Sequence, residues 1–440
     1  MGKRVDTAVV SLWGADIGAV TWDGNTQLGA FQYMPDFVGS GIEPSPLMMP
    51  LKTSPFAFPE LSRETFKGLP GMLADSLPDK FGSALIDRWL AESGIEYADF
   101  SPVDRLCYVG TRGMGALEFR PSISRQPLHE HPINLDALVS LANNILNERS
   151  TISGTIKQDH DSLTEQTLSD LLQVGVSAGG ARAKAVVGWN EETGEVRSGQ
   201  TDLSAGFSHW LIKFDGITNN RDKELRDGQE YGLMEYAYYL MAIDAGIDMS
   251  ECRILTEGER HHFMTRRFDR TKNGSKLHMQ TLGAMAHLDF NLPGTASYEQ
   301  AMSITEKLGL GMRALEQILR RAIFNIIARN QDDHVKNIAF LMDSSGEWRL
   351  APAYDLTFAY NPSGLFTGQH QMVLNGKRDG FVYADIVAAA KRFAVPERRI
   401  RLIIEEVRLA VSKWRDVAGE LNIAEQNIDS RAALHRDLFV

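Results

Sequence analysis

The spacing of apolar and polar positions changes period several times along the chain. Residues 9–13 and 17–22 are apolar-rich runs on either side of Gly14-Ala15-Asp16, which predicts a hairpin. Asp23-Gly24-Asn25 then turns the chain into a third strand over 28–33. Five prolines between 44 and 59 exclude regular helix or central strand there. Over 66–96, Phe81, Ala84, Leu85, Trp89 and Leu90 fall at helical spacing. Residues 107–110, 111–113 and 115–119 read as strand, turn and strand. A polar stretch over 125–165 carries one predicted helix, 135–147. Strands are predicted at 171–176 and 184–189, with a turn at 190–194. Around Lys213, Trp210, Ile212 and Phe214 share one strand face. A helix over 229–246 follows, then a strand pair, 252–257 and 261–268, around Gly258.

Beyond residue 297 the period becomes helical. Leu315, Ile318, Leu319, Ala322, Ile323, Ile326 and Ile327 form one unbroken apolar stripe. It stops at a polar loop, which is followed by a predicted hairpin (338–342 and 348–351) and by helices over 383–391 and 396–417. A β-rich segment therefore precedes a helical one. The expected fold is α+β, a bilobed protein-kinase-like architecture with an extra N-terminal α+β subdomain. The expected divisions are 1–130 for that subdomain, 151–270 for a β-rich lobe with a Gly-rich loop, and 271–440 for a mostly helical lobe.

Composition narrows the function classes. The chain has 440 residues, 43% of them hydrophobic, enough for sizeable cores. A net charge of −11 argues against a general grip on nucleic-acid phosphates. Two cysteines, Cys107 and Cys252, exclude a disulfide framework and fit a reducing cytoplasm. No apolar run approaches a membrane span and no signal-like segment opens the chain, so a cytoplasmic protein is expected.

The candidate chemistry gathers at the polar loop, Asn330-Gln331-Asp332-Asp333-His334-Val335-Lys336-Asn337. Phosphoryl transfer needs a group to orient the attacking hydroxyl and oxygen ligands to hold magnesium on the phosphates. Asp332 suits the first role; Asn337 and Asp355, beyond the hairpin, suit the second. The bland alternative is that Asp332 and Asp333 are both solvated loop residues that help end the helix. The Gly-rich segment around Ser177, Ala178, Gly179, Gly180 and Ala181 is a candidate phosphate loop, because glycines let backbone N–H groups approach phosphate oxygens. Lys213 lies in an apolar strand, where its charge is costly unless used. Glu235 is its best predicted partner and Glu230 the rival. Arg266-Arg267-Phe268-Asp269-Arg270 is a candidate adenine-binding hinge. His261 and His262 read as exposed hairpin residues. These residues point to an ATP-dependent phosphotransferase.

Together they resemble the HipA family of serine/threonine kinases, the toxins of bacterial toxin–antitoxin pairs. The resemblance begins in the N-terminal segment (Leu73-Ala74-Asp75-Ser76-Leu77-Pro78-Asp79; Val109 to Ala116) and runs to about residue 395. Gly180, Ala181 and Lys184 match the family's phosphate loop, Ile212-Lys213 its ATP-anchoring lysine, and Glu235 the helix partner. Arg267 to Arg270 match its hinge, Asp332, His334 and Asn337 its catalytic loop, and Tyr354-Asp355 its metal carboxylate. Asn375-Gly376-Lys377 resembles a further family segment. The chain departs from the pattern at Arg329-Asn330-Gln331, at Arg182-Ala183, and at Asp333, which stands where the family has glycine.

The resemblance implies Mg-ATP as cofactor, nucleotide contacts from Arg266, Phe268, Asp269 and His334, and autophosphorylation at Ser177. It also implies a translation-related protein substrate, such as an aminoacyl-tRNA synthetase, and a HipB-like helix-turn-helix antitoxin that carries the DNA contact. An aminoglycoside-type phosphotransferase, which uses a similar Asp-x-x-x-x-Asn loop, is the alternative.

Overall fold

The computed structural model describes residues 5–92, 100–122, 183–199, 203–215 and 230–437. The predicted elements at 135–147 and 171–176, and the Gly-rich loop with Ser177 to Ala181, lie outside them. The chain divides into two compact units: 1–222 with 264–280 and 342–346, and 223–263 with 281–341 and 347–440.

In the first unit, β1 (Thr7–Leu12), β2 (Ala15–Asp23), β3 (Leu28–Tyr33) and β4 (Leu117–Pro121) form an antiparallel sheet in the order β3-β2-β1-β4. Alternation puts Ala8, Val10 and Leu12 inside. The predicted helical stretch over 66–96 is broken into Arg63–Phe66, Gly71–Ala74 and Lys80–Glu92. Pro70 and Pro78 stand at the breaks, since proline cannot continue a helix from within.

One expectation fails here. Residues 107–110 are not a strand but the end of a helix, Pro102–Val109. Its start carries a strong signal: Ser101 caps it, Pro102 fills the first turn, and Asp104 closes a capping box. Asp104 also accepts the Val5 N–H at 2.8 Å, which ties the chain's start to this helix.

A second sheet contains β5 (Lys184–Trp189), β6 (Val196–Ser198) and β7 (Ser208–Lys213), with β5 between β6 and β7 and buried throughout. Trp189 and Trp210 meet edge to face with centroids 5.4 Å apart. Arg267 N–H donates to the His209 carbonyl at 2.9 Å, so residues 264–267 run beside β7.

The second unit begins with the helix Tyr231–Asp244, followed by the hairpin strands β8 (Cys252–Glu257) and β9 (Arg260–Arg266), whose last residues belong to the first unit. Gly232 is required where this helix meets the hairpin: a Cβ there would lie 2.2 Å from the His261 carbonyl oxygen. His262 is fully buried, with Nε2 3.3 Å from Glu257 Oε2, which corrects its reading as an exposed hairpin residue.

The helix Gly311–Ile327 is the centre of this unit, buried on nearly all sides. The helices Tyr298–Lys307 and Glu397–Ser412 pack on it. The predicted 396–417 helix is two helices, Glu397–Ser412 and Trp414–Glu420, separated at Lys413. Among the described residues no helix is long and apolar enough to cross a membrane.

Candidate active site

In the first unit, Lys213 is half-buried at the end of β7 and lies directly across from Lys184 of β5. Opposed residues of an antiparallel pair project from the same face, and like charges there repel. Lys184 is buried, and its Nζ lies 3.4 Å from the equally buried Asp79 carboxylate, which offsets part of that repulsion. Asp79 also accepts the Gly82 N–H at 2.7 Å, so it is fixed at the start of the helix Lys80–Glu92. Sequence reasoning assigned Asp79 no role.

The hinge candidate encloses a buried ionic knot. Arg267 donates to both Asp269 carboxylate oxygens, at 2.9 and 2.6 Å, and to the Gly113 carbonyl at 3.1 Å. Arg270 and the Gly115 N–H each donate to Asp269 Oδ2 at 2.7 Å. Burial alone would raise the Asp269 pKa; the two guanidiniums overcome it and hold the carboxyl well below its ordinary range. Asp269 is thus committed to joining the 113–115 turn to the segment after β9. Arg266 and Phe268 beside it are half-buried.

In the second unit, Glu235 is buried within the helix Tyr231–Asp244. Its rival, Glu230, is engaged elsewhere: it accepts the Ala424 N–H at 2.9 Å and the Asn427 amide at 2.6 Å.

The polar loop is built from the end of the Gly311–Ile327 helix. Arg329 adopts a left-handed φ of 58°, which ends the helix and turns the chain. The backbone then pairs with residue 359: Gln331 N–H donates to the Ala359 carbonyl at 2.9 Å, and Ala359 N–H donates to Arg329 at 3.0 Å. This pairing brings the 355–359 segment alongside the loop. Asn330 Nδ2 reaches the Asp355 carbonyl at 3.4 Å, and the Tyr354 hydroxyl donates to the Lys336 carbonyl. Asp355 itself has a φ of 54°, an unusual conformation for a residue with a Cβ and one that clusters at functional sites.

Within the loop, Asn337 Nδ2 donates to the Asp332 carbonyl at 2.8 Å. That bond uses the amide's donor end and leaves Oδ1 available to a cation. Asn337 Oδ1 and the Asp355 carboxylate are hard oxygen donors of the kind magnesium takes, together with water and phosphate oxygens. His334 is half-buried, with its ring 5.9 Å from that of Phe290.

Asp333 is not a solvated loop residue. It is 2% exposed and accepts the Tyr298 hydroxyl at 2.7 Å and the Gln371 N–H at 2.7 Å, with His370 Nδ1 at 2.8 Å. Tyr298 in turn accepts from Asn325 Nδ2, and Asn325 accepts from Asn330 Nδ2, each at 2.9 Å. The network therefore returns to the start of the loop. Beneath it, Tyr298, Asn325, Asn330, Asp333 and His334 line a cavity of about 20 Å³ with Arg321, enough for a single water. Arg321 is buried, donates to the Ala351 carbonyl at 2.7 Å, and has its pKa pushed down to about 10 by that burial.

The segment holding His370 and Gln371 is set by Asn375-Gly376. Both residues have positive φ (48° and 77°), the two-residue hairpin turn that favours Asn-Gly, and Leu374 pairs with Lys377 across it. Asn375 and Lys377 both bond to Asp385, at 2.9 and 2.7 Å.

A family model described as the HipA N-terminal domain matches residues 8–120. A second, the HipA-like C-terminal domain, matches residues 176–414, more than half of the chain. The chain belongs to the HipA family. A solved HipA, from the Shewanella oneidensis MR-1 complex of HipA, HipB and operator DNA, superposes with a TM-score of 0.66. That match covers 97% of this chain and 94% of that one at 17% identity, and it shows a shared kinase-like fold. A putative kinase of Haemophilus influenzae is 29% identical over an alignment covering 32% of this chain. It includes 46% of that protein, so this HipA-family chain spans about half the length of the curated relative it matches.

Proposed function

We propose that this HipA-family chain is a serine/threonine protein kinase that transfers the γ-phosphoryl group of Mg-ATP to a protein hydroxyl. The observation that carries this reading is the pairing of the 329–331 backbone with Ala359, which sets Asp355 beside the loop of Asp332 and Asn337. Asp332 orients the attacking hydroxyl and accepts its proton. Asn337 Oδ1 and the Asp355 carboxylate would hold magnesium, which would supply positive charge to the phosphates. Lys213 grips the α- and β-phosphates and Glu235 supports it; Arg266, Phe268 and His334 contact the nucleotide. The Gly-rich loop, Ser177 to Ala181, covers the phosphates. Autophosphorylation at Ser177 expels that loop, because a group carrying about −1.5 to −2 charge is repelled from where ATP phosphates bind.

The likeness to a HipA solved with HipB and operator DNA supports a HipB-like antitoxin as partner, with the chain acting as the toxin of the pair. The substrate class is a cytoplasmic translation protein, as the family resemblance implies.

The test is transfer of labelled phosphate from Mg-ATP, read as autophosphorylation and by intact mass. The wild type gains one phosphate, and Ser177→Ala does not. Asp332→Gln slows transfer by about 10²–10⁴ without unfolding the chain. Equal transfer by Asp332→Gln would overturn the assignment.

A further inference from the structure

Asp333, where the family pattern has glycine, is the anchor of a second strand of contacts that ends on Asp332. The Gln371 backbone is fixed from both sides: its N–H donates to Asp333 Oδ1 at 2.7 Å, and its carbonyl accepts the Gly294 N–H at 2.7 Å. Its side chain then reaches across, and Nε2 donates to Asp332 Oδ1. The amide orientation is settled by chemistry, since Oε1 in the same place would face a carboxylate oxygen. Gln371 is 5% exposed, and among the described residues its Oε1 has no protein partner.

We propose that Gln371 is a positioning residue for the transfer step, holding the Asp332 carboxylate in one orientation, and that Asp333 fixes Gln371 in place. The inference rests on the phosphotransferase reading of Asp332. A carboxylate on a loop can rotate about two torsions, and a small misplacement of a reacting group costs orders of magnitude in rate. A neutral amide holds one oxygen without placing a positive charge beside the group that must accept a proton. Asp333 suits the anchor role because it meets Gln371 through the main chain, so the side chain at 371 can be changed without releasing that bond.

The test uses the full chain with Gln371→Ala, and Gln371→Met as a variant of similar length without a donor. Initial rates of autophosphorylation are measured against ATP concentration, with thermal melting alongside. The expected result is a fall in kcat of about tenfold to a hundredfold, with KM for ATP within about twofold and melting unchanged. Gln371→Glu, which sets a second carboxylate against Asp332, loses at least as much. An active wild type with unchanged kcat in both Gln371→Ala and Gln371→Met overturns the inference, as does a rise in KM alone. A wild type that transfers no phosphate overturns the kinase reading itself, and a wild type active with Asp332→Gln equally active removes Asp332 from the chemistry; both are distinguishable from failure at Gln371.

Discussion

Two aspartates in this chain are equally buried and are held in opposite ways. Asp269 sits between two guanidiniums, so two of its partners carry full charges. Asp333 sits among a tyrosine hydroxyl, a histidine nitrogen and a main-chain N–H. The first arrangement ties distant segments of the first unit together, because each arginine also reaches the 113–115 turn. The second places a neighbouring catalytic candidate, because its partner Gln371 goes on to Asp332. Burying a carboxylate demands compensation in both places. Paired guanidiniums give a rigid clamp; a hydroxyl, an imidazole nitrogen and a main-chain N–H give orientation through separately directed bonds.

The largest expected effect comes from breaking the clamp. Asp269→Ala leaves Arg267 and Arg270 buried against each other and should lower stability by about 3–5 kcal/mol, measured by denaturant unfolding. The sign of its pH dependence is set by the depressed carboxyl. The stabilisation is present above the unfolded pKa of about 4 and is lost only as pH falls through the lower folded value. The gap between wild type and Asp269→Ala should therefore stay constant from pH 8 to about pH 5. A gap that closes across that range would mean the clamp is not ionic.

A smaller effect is expected from Asp333→Asn. An amide offers one acceptor oxygen in place of two, so the three neighbours cannot all be satisfied, and stability should fall by about 1–3 kcal/mol. Phosphate transfer should fall with it, since Gln371 loses its anchor. Smallest is Tyr298→Phe, which removes one hydroxyl from the network and should cost about 0.5–1.5 kcal/mol. If Asp333→Asn proved more damaging to stability than Asp269→Ala, the contrast between clamp and orienting network would be reversed.

Much of this was legible from residue order. Apolar runs between turn signals located β1 to β3 and β5, alternation located β7, and the apolar stripe located the Gly311–Ile327 helix to within its first turn. The strand read at 107–110 failed for a local reason: its apolar residues end a helix whose Ser101-Pro102-x-Asp104 signal lies just upstream. Asp333 failed for a non-local one. Its partners Tyr298 and His370 are 35 and 37 residues away, and the pairing of 371–373 with 294–298 holds their segments side by side. Asp79 is similar, being 105 residues from Lys184 in the chain. Short-range periodicity reads faces and turns; it does not read which buried polar groups meet.

The central claim is that Asn337 and Asp355 hold a cation for phosphoryl transfer beside Asp332. Crystals grown with Mn²⁺ and a non-hydrolysable ATP analogue test it most directly, because manganese scatters anomalously where magnesium would bind. An anomalous peak bonded to Asn337 Oδ1 and an Asp355 carboxylate oxygen, at about 2.0–2.3 Å, is the predicted result. A metal bound to the analogue but remote from both side chains would contradict it.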